Sequence, residues 1–301
     1  MDYTIIIPHK NSTRLLKRLL ESIPNFQNIQ TIVVDDNSSD DELARLRRLS
    51  VTHHFEFYHT EGKTAGGARN TGIKHATGKW VIFADADDYF EPTFGEQLSF
   101  YQNSFADIIF FPVTSRYSDT GKPAYRGNHV NLMHQKYKVT GNEDYLRCCH
   151  LAPWGKMIKR SLVDTNHIRY EECIAGNDNW FSVNTGVMAS KIIVSDIPIY
   201  CITVSSGSLT TTLNVEHFEA KLQSSLRTNR FLRQHGKAAF QISILYFLVT
   251  SYQFGFRYIF HVIGLCAKMG ANPFIGLGKL LHPMSALANR QNNQIIKDER
   301  V

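Results

Sequence analysis

The amino-acid sequence predicts an α/β protein, a mostly parallel sheet flanked by helices with a helical extension at its C-terminal end. Three observations carry that prediction. Short apolar runs rich in β-branched residues stand at residues 3–8, 31–34 and 80–84. Between the first two, Leu15, Leu16, Leu19, Leu20 and Ile23 repeat at helical spacing. Each run ends in a polar turn, at residues 9–11, 35–39 and 85–88, in the strand and helix alternation that parallel crossovers require. In such sheets ligands sit beyond the carboxyl ends of the strands, so these three turns are the first place to look for chemistry.

The other elements follow in order. Residues 107–113 read as a further strand, and a polar stretch with Gly121, Pro123 and Gly127 marks a change of character. Shorter elements fill roughly 140–205, and beyond Ser205-Ser206-Gly207-Ser208 the pattern is helical. The expected organisation is a ligand-binding half over residues 1–115, a second half over 116–212 and a helical region over 213–301. Residues 238–256 run nineteen positions without a charge, the length of a membrane span, yet Gln241, Ser243, Thr250, Ser251 and Gln253 interrupt them. On one continuing helix Thr250, Gln253, Arg257, His261 and Lys268 form a narrow polar stripe, with Tyr246, Val249, Tyr252, Phe256 and Phe260 on the broad remainder. Such a helix suits packing against the domain or a second copy, or lying in a membrane surface, better than spanning.

Composition narrows the class. With 43% apolar and 20% charged residues over 301 positions, the chain can bury a sizeable core, which excludes disorder, collagen-like repeats and a disulfide miniprotein. The net charge of +6 suits a phosphate-bearing ligand or an anionic membrane without demanding either, and nothing calls for a nucleic-acid partner. Five cysteines without CxxC spacing, in a chain that opens directly on a strand, lead to the expectation of a reduced, cytoplasmic setting.

The densest chemistry lies in Asp85-Ala86-Asp87-Asp88. Three carboxylates in four residues repel one another unless a cation or hydrogen bonds compensate, and at a strand end they point to a hard divalent ion, Mg²⁺ or Mn²⁺, completed by nucleotide phosphates. Taken alone, the same residues also suit an acidic turn capping the next helix.

Six segments in order extend the reading: TIIIPHKNSTRLLKRLLESI, IVVDDNSSD, GGARNTGIKHATGKWVIFADADDYF, APWGKMIKRSLV, AGNDNWF and SSGSLT. Over residues 3–212 the chain resembles the family 2 glycosyltransferases, whose fold is the Rossmann-like GT-A type. The resemblance implies transfer of a sugar from a nucleotide-diphosphate donor, UDP-sugars foremost, to a hydroxyl of a saccharide or lipid-linked saccharide. It implies inversion at the anomeric carbon and a setting in bacterial surface polysaccharide assembly at the inner face of the membrane.

What the resemblance implies can be assigned to residues. Asp36 would meet the base edge of the nucleotide with Asp35 behind it, while Pro8 and Asn11 shape the same pocket. Gly67 allows close backbone approach, and Arg69 and Asn70 face phosphate and sugar, with Lys63 sharing the basic role. Asp85 binds sugar or nucleoside hydroxyls, Asp87 and Asp88 hold Mn²⁺ or Mg²⁺, and Trp154 and Lys156 lie on the acceptor side. Asp178 is the base that deprotonates the acceptor hydroxyl. Two positions depart from the family pattern: Asn177 stands where a Glu is usual, and Cys201-Ile202-Thr203 replaces aromatic and basic residues. They keep open a catalytically silent sugar-binding or scaffold subunit. A sugar nucleotidyltransferase is the other alternative, disfavoured because the first strand lacks a long Gly-rich, basic phosphate loop.

Overall fold

The computed structural model describes residues 1–60, 64–204 and 214–275. The chain opens with β1 (Tyr3–His9), α1 (Thr13–Ser22), β2 (Ile29–Asp35), α2 (Asp40–Thr52), β3 (Glu56–His59), α3 (Ala65–His75) and β4 (Trp80–Phe83). All four strands run parallel, with Ile5 opposite Thr31 on one side and Ile82 on the other. Because helices cover both faces, β1 is apolar at nearly every position: Ile5 and Ile7 pack with Leu16 and Leu19, while Ile6 packs with Ile73, Val81 and Phe83. Two-sided burial explains an unbroken Ile-Ile-Ile run where a half-exposed strand would alternate.

Next come β5 (Tyr89–Phe90), α4 (Phe94–Tyr101), β6 (Ile108–Phe110), β7 (Val113–Tyr117), α5 (Asn128–Thr140), α6 (Asp144–Cys149), β8 (Lys156–Lys159) and α7 (Arg160–Thr165). The set closes with α8 (Asn177–Met188), β9 (Ile192–Val194) and β10 (Tyr200–Val204). Seven strands form the main sheet in the order β3-β2-β1-β4-β8-β6-β9, with β8 antiparallel to both neighbours, and a second sheet has the order β5-β10-β7. The single strand expected over 107–113 is two strands in two sheets. Pro112 has no N–H to give a ladder, so the chain leaves the main sheet after Phe110 and Val113 enters the small one. The small sheet places β10 beside the turn that follows β4.

The chain divides into two compact units between Ser224 and Ser225, a division that falls within α9 (Val215–Gln234). In the second unit the continuous helix expected through residue 268 is interrupted. A 3₁₀ turn at Ala238–Phe240, α10 (Leu245–Thr250), another 3₁₀ turn at Ser251–Phe254 and α11 (Phe256–Lys268) replace it. The break before α11 is at Gly255, whose φ of 100° a side chain would strain. Ile244, Phe247, Val262 and Cys266 turn inward, and no helix among the described residues is long and apolar enough to cross a membrane.

Candidate active site

The carboxyl ends of β1, β2 and β4 meet at one edge of the main sheet. Pro8 and His9 at the end of β1, Lys10 just after it, Asp36 after β2, Ala65 and Arg69 from α3, and Asp85 and Asp87 after β4 line a cleft of 340 Å³. Asp35 lies buried behind it, with Oδ1 3.1 Å from His9 Nδ1 and Oδ2 accepting the Ser38 amide at 3.0 Å. Since the Ser12 amide donates to His9 Nε2 at 3.3 Å, the ring proton belongs on Nδ1, from which it donates to Asp35. Burial works to raise the Asp35 carboxyl, but Ser38 and His9 outweigh it and hold the group below the usual carboxylate range. Asp36 faces the cleft, and burial carries it above its ordinary value against the pull of Lys10. Asn11, at a φ of 50°, laces two strand-end turns together: its amide donates to Ser38 Oγ at 2.9 Å and its Oδ1 accepts the Ser39 amide at 2.8 Å. It does not line the cleft.

Arg69 gives the site its geometry. Its guanidinium is buried, with Nη2 2.7 Å from Asp85 Oδ1 and Nη1 2.7 Å from Asp178 Oδ1. Nη1 also lies 3.3 Å from Asn177 Oδ1, and the ring of Tyr170 sits 5.3 Å away. The group expected to meet phosphate is therefore engaged by two carboxylates, Asp85 after β4 and Asp178 on α8. Asp178 stands in the first turn of α8, and burial carries its carboxyl above the ordinary value while Arg69 pulls it down and Asp85 pushes it further up. The neighbouring glycine, Gly66, brings α3 against the segment before α8, since a Cβ there would lie 2.2 Å from the Glu171 carbonyl oxygen. At Gly67 a Cβ would make only ordinary contacts, the nearest at 3.4 Å with Thr60 Oγ1, and its amide donates to the capping Thr64 hydroxyl. Asn70 clamps the same segment rather than reaching the cleft: its Nδ2 donates to the Tyr170 carbonyl at 3.0 Å and its Oδ1 accepts the Tyr170 amide at 2.8 Å.

The acidic turn divides its labour. Asp88, expected beside Asp87 as a metal ligand, points into the protein instead: Tyr200 Oη donates to its Oδ2 at 2.8 Å and the Thr203 amide to its Oδ1 at 2.7 Å. The same phenol oxygen accepts the Asp85 amide at 2.8 Å, so Tyr200 of β10 holds both ends of the turn. Trp154 stacks on Tyr200 with ring centroids 5.9 Å apart and is buried, while Lys156 donates to the His150 carbonyl at 2.7 Å and is buried as well. Neither residue expected on the acceptor side presents its side chain to solvent. Burial lowers Lys156 to about 7, with Asp178 working against the shift.

Two residues of the site, Arg18 and Arg126, were not singled out by the sequence. Arg18, on α1, donates to the Asp87 carbonyl and, at 3.2 Å, to the Thr203 hydroxyl. Arg126 and Arg18 both pull down on the Asp87 carboxyl, so two arginines flank the turn where Cys201-Ile202-Thr203 left the family's basic residue missing. Lys63 and the turn at residues 205–210 lie outside the described residues. Among the described residues no group of three or more His, Cys, Asp or Glu side chains encloses a metal position. The donors nonetheless fit a hard ion completed by phosphate oxygens, which needs only one or two carboxylates from the protein. Asp87 is the carboxylate of the turn most open to solvent, yet the surrounding protein still desolvates it in part, and that desolvation and the adjacent Asp85 lift it above its ordinary value, the state a cation would relieve.

The strand-end cleft is thus lined by Asp36, Asp85 and Asp87, and Arg69 ties it to the Asp178 carboxylate. The sequence model of Glycosyl transferase family 2 matches residues 4–166, and the chain belongs to that family. It is 24% identical to EpsH of Bacillus subtilis (strain 168) over 246 residues, 78% of this chain and 70% of EpsH. It is also 24% identical over 219 residues to the poly(ribitol-phosphate) beta-N-acetylglucosaminyltransferase TarS of Staphylococcus aureus (strain Mu50 / ATCC 700699), covering 69% of this chain but 36% of TarS. Among solved structures, S. aureus TarS 1–349 in complex with UDP-GlcNAc superimposes with a TM-score of 0.63 at 20% identity, over 89% of this chain and 81% of that one. The mannosyltransferase PcManGT from Pyrobaculum calidifontis, in complex with GDP-Man and Mn²⁺, gives 0.53 at 16% identity, over 95% and 80%. The fold is GT-A.

Proposed function

We propose that the protein is a metal-dependent, inverting glycosyltransferase. It moves a sugar from a nucleotide diphosphate, a UDP-sugar in the first instance, to a hydroxyl of a saccharide or lipid-linked saccharide in bacterial surface polysaccharide synthesis at the cytoplasmic face of the membrane. The observation that carries the reading is the bridge Asp85–Arg69–Asp178, which sets a carboxylate of the second half beside the donor cleft. Relatives support the substrate class: TarS has been solved with UDP-GlcNAc and PcManGT with GDP-Man.

In this reading Asp36 meets the base, and Asp85 meets ribose or sugar hydroxyls. Asp87 would hold Mn²⁺ or Mg²⁺, which would supply Lewis-acid stabilisation of the leaving phosphate. Arg69 occupies Oδ1 of Asp178, so Oδ2 is the atom that takes the acceptor's proton as its oxygen attacks the anomeric carbon from the face opposite the leaving group. Asn177, in place of a second carboxylate, removes a like charge beside that base and gives Arg69 a neutral acceptor instead.

The test is release of nucleoside diphosphate from a panel of nucleotide sugars, with Mn²⁺, with Mg²⁺ and with excess chelator. The anomeric configuration of the product is read by NMR. Turnover should require the cation, Asp87→Ala should lose that requirement together with activity, and Asp178→Asn should fold normally but slow turnover by about two to four orders of magnitude. Full activity in chelator, or retention of configuration, would overturn the corresponding half of the proposal.

A further inference from the structure

Charge is distributed unevenly along the chain. Up to Glu219 there are 22 Lys and Arg against 25 Asp and Glu; after it there are 11 against two, and no carboxylate side chain occurs between Glu219 and Asp298. The C-terminal region thus carries the whole positive excess.

Helix α11 shows where apolar surface joins that charge. At about 100° per residue, Val262 and Cys266 mark its inward side, where both are fully buried. Phe256, Phe260 and Ile263 form a strip on the outward side, Phe256 at 73% and Phe260 at 61% exposure, with their rings in edge contact at 5.4 Å. Arg257, His261 and Lys268 form a second exposed strip alongside it. In the adjoining turns Tyr246, Val249 and Tyr252 are exposed too. Water-facing aromatic residues at this density are uncommon on a soluble surface and call for an occupant.

We infer that this face docks on an anionic lipid bilayer, the aromatic strip entering the headgroup boundary and the basic strip lying against the phosphates. Charge selects the occupant. A second copy of the chain would bring two carboxylate-free, basic strips face to face, and like charges across an interface are repulsive. Anionic headgroups complement the basic strip and the acyl boundary beneath them accommodates the aromatic one, and the side-by-side arrangement is that of a helix lying in the membrane plane. The inference is independent of the transfer reaction.

The full chain is sedimented with vesicles of phosphatidylcholine alone, or containing about 30 mol% phosphatidylglycerol, at about 50 and about 500 mM salt. Recovery is expected with anionic vesicles at low salt and should fall at least tenfold at high salt or with neutral vesicles. Phe256→Ser with Phe260→Ser should abolish recovery. Arg257→Gln with Lys268→Gln should weaken it about fivefold per charge removed, the equivalent of about 1 kcal/mol each. Because these side chains are exposed, thermal melting of all variants should match the parent, and so should the melting shift produced by nucleotide. Three results would overturn the inference: equal recovery with neutral and anionic vesicles, variants that sediment like the parent, or a dimer by light scattering that the phenylalanine variant dissolves while vesicles recover nothing.

Discussion

Replacing Arg69 should change the pH dependence of the reaction and not only its rate. The guanidinium is the larger of the two charges, with Lys156 the lesser, that hold the Asp178 proton affinity down against burial and Asp85. In Arg69→Met most of that restraint is gone, so the acid limb of kcat/KM, where the base loses activity by taking up a proton, should move to higher pH. Arg69→Lys keeps one charge but cannot span both carboxylates, and should fall between. A pH profile of the three proteins checks this, and an unmoved limb would take Asp178 out of the base role. Lys156 offers the opposite sign of linkage, in stability. Burial lowers it from an ordinary 10.5 to about 7, so between those values the unfolded chain holds a proton that the folded chain has released. Stability contributed by this group therefore rises with pH from about 7 to about 10 and is least below 7, where the buried ammonium is charged. Thermal melts between pH 6.5 and 9 should show that rise, and Lys156→Met should flatten it.

At the scale of elements, the site depends on how tightly α3 meets the segment that leads into α8. Gly66→Ala would drive a methyl into the Glu171 carbonyl, and because backbone cannot yield as a side-chain tip does, the two must part. We expect a cost of about 1–3 kcal/mol, measured by denaturant unfolding, together with a loss of turnover, because the movement carries Asn177 and Asp178 away from Arg69. Gly67→Ala, with only ordinary contacts to make, is the matched control. These elements also mark what could be read from sequence. The β-branched runs and the leucine spacing of α1 disclosed strands and helix because their periodicity is local, and the Asp85 to Asp88 cluster disclosed the edge where the cleft forms. What Asp88 does was hidden, since its partners Tyr200 and Thr203 arrive from β10, more than a hundred residues later. The inward turn of Trp154 and Lys156, which had suggested acceptor contacts, depends in the same way on neighbours that no local pattern names. Arg69 read as a phosphate contact for a similar reason: its spacing places it at the cleft, but only the packing of α8 reveals the second carboxylate.

Across the whole molecule, the division of labour follows the order of the chain. The first unit gathers Asp36, Asp85, Asp87 and Asp178 around one sheet edge, while the second, among its described residues, carries basic side chains and no Asp or Glu. Pro112, a single residue lacking an N–H, marks where the chain moves from the main sheet to the small one that carries β10. The strand reading at 107–113 missed it because both pieces are apolar, and the helix reading beyond 238 overran Gly255 because the polar stripe kept its period on either side.

The stack of Trp154 on Tyr200 gives the protein an optical property. The indole is not among the groups lining the cleft, yet its partner ring holds both ends of the acidic turn through one phenol oxygen. Any occupant that draws Asp85 or Asp87 forward shifts that phenol and, with it, the surroundings of a buried indole. Intrinsic emission from Trp154 should therefore change when the cleft is filled, and a Trp180→Phe background removes the half-buried indole beside Asp178, leaving buried Trp80 at the start of β4 as the remaining background. Titrating a nucleotide sugar into that variant while following its emission is a dye-free check of cleft occupancy.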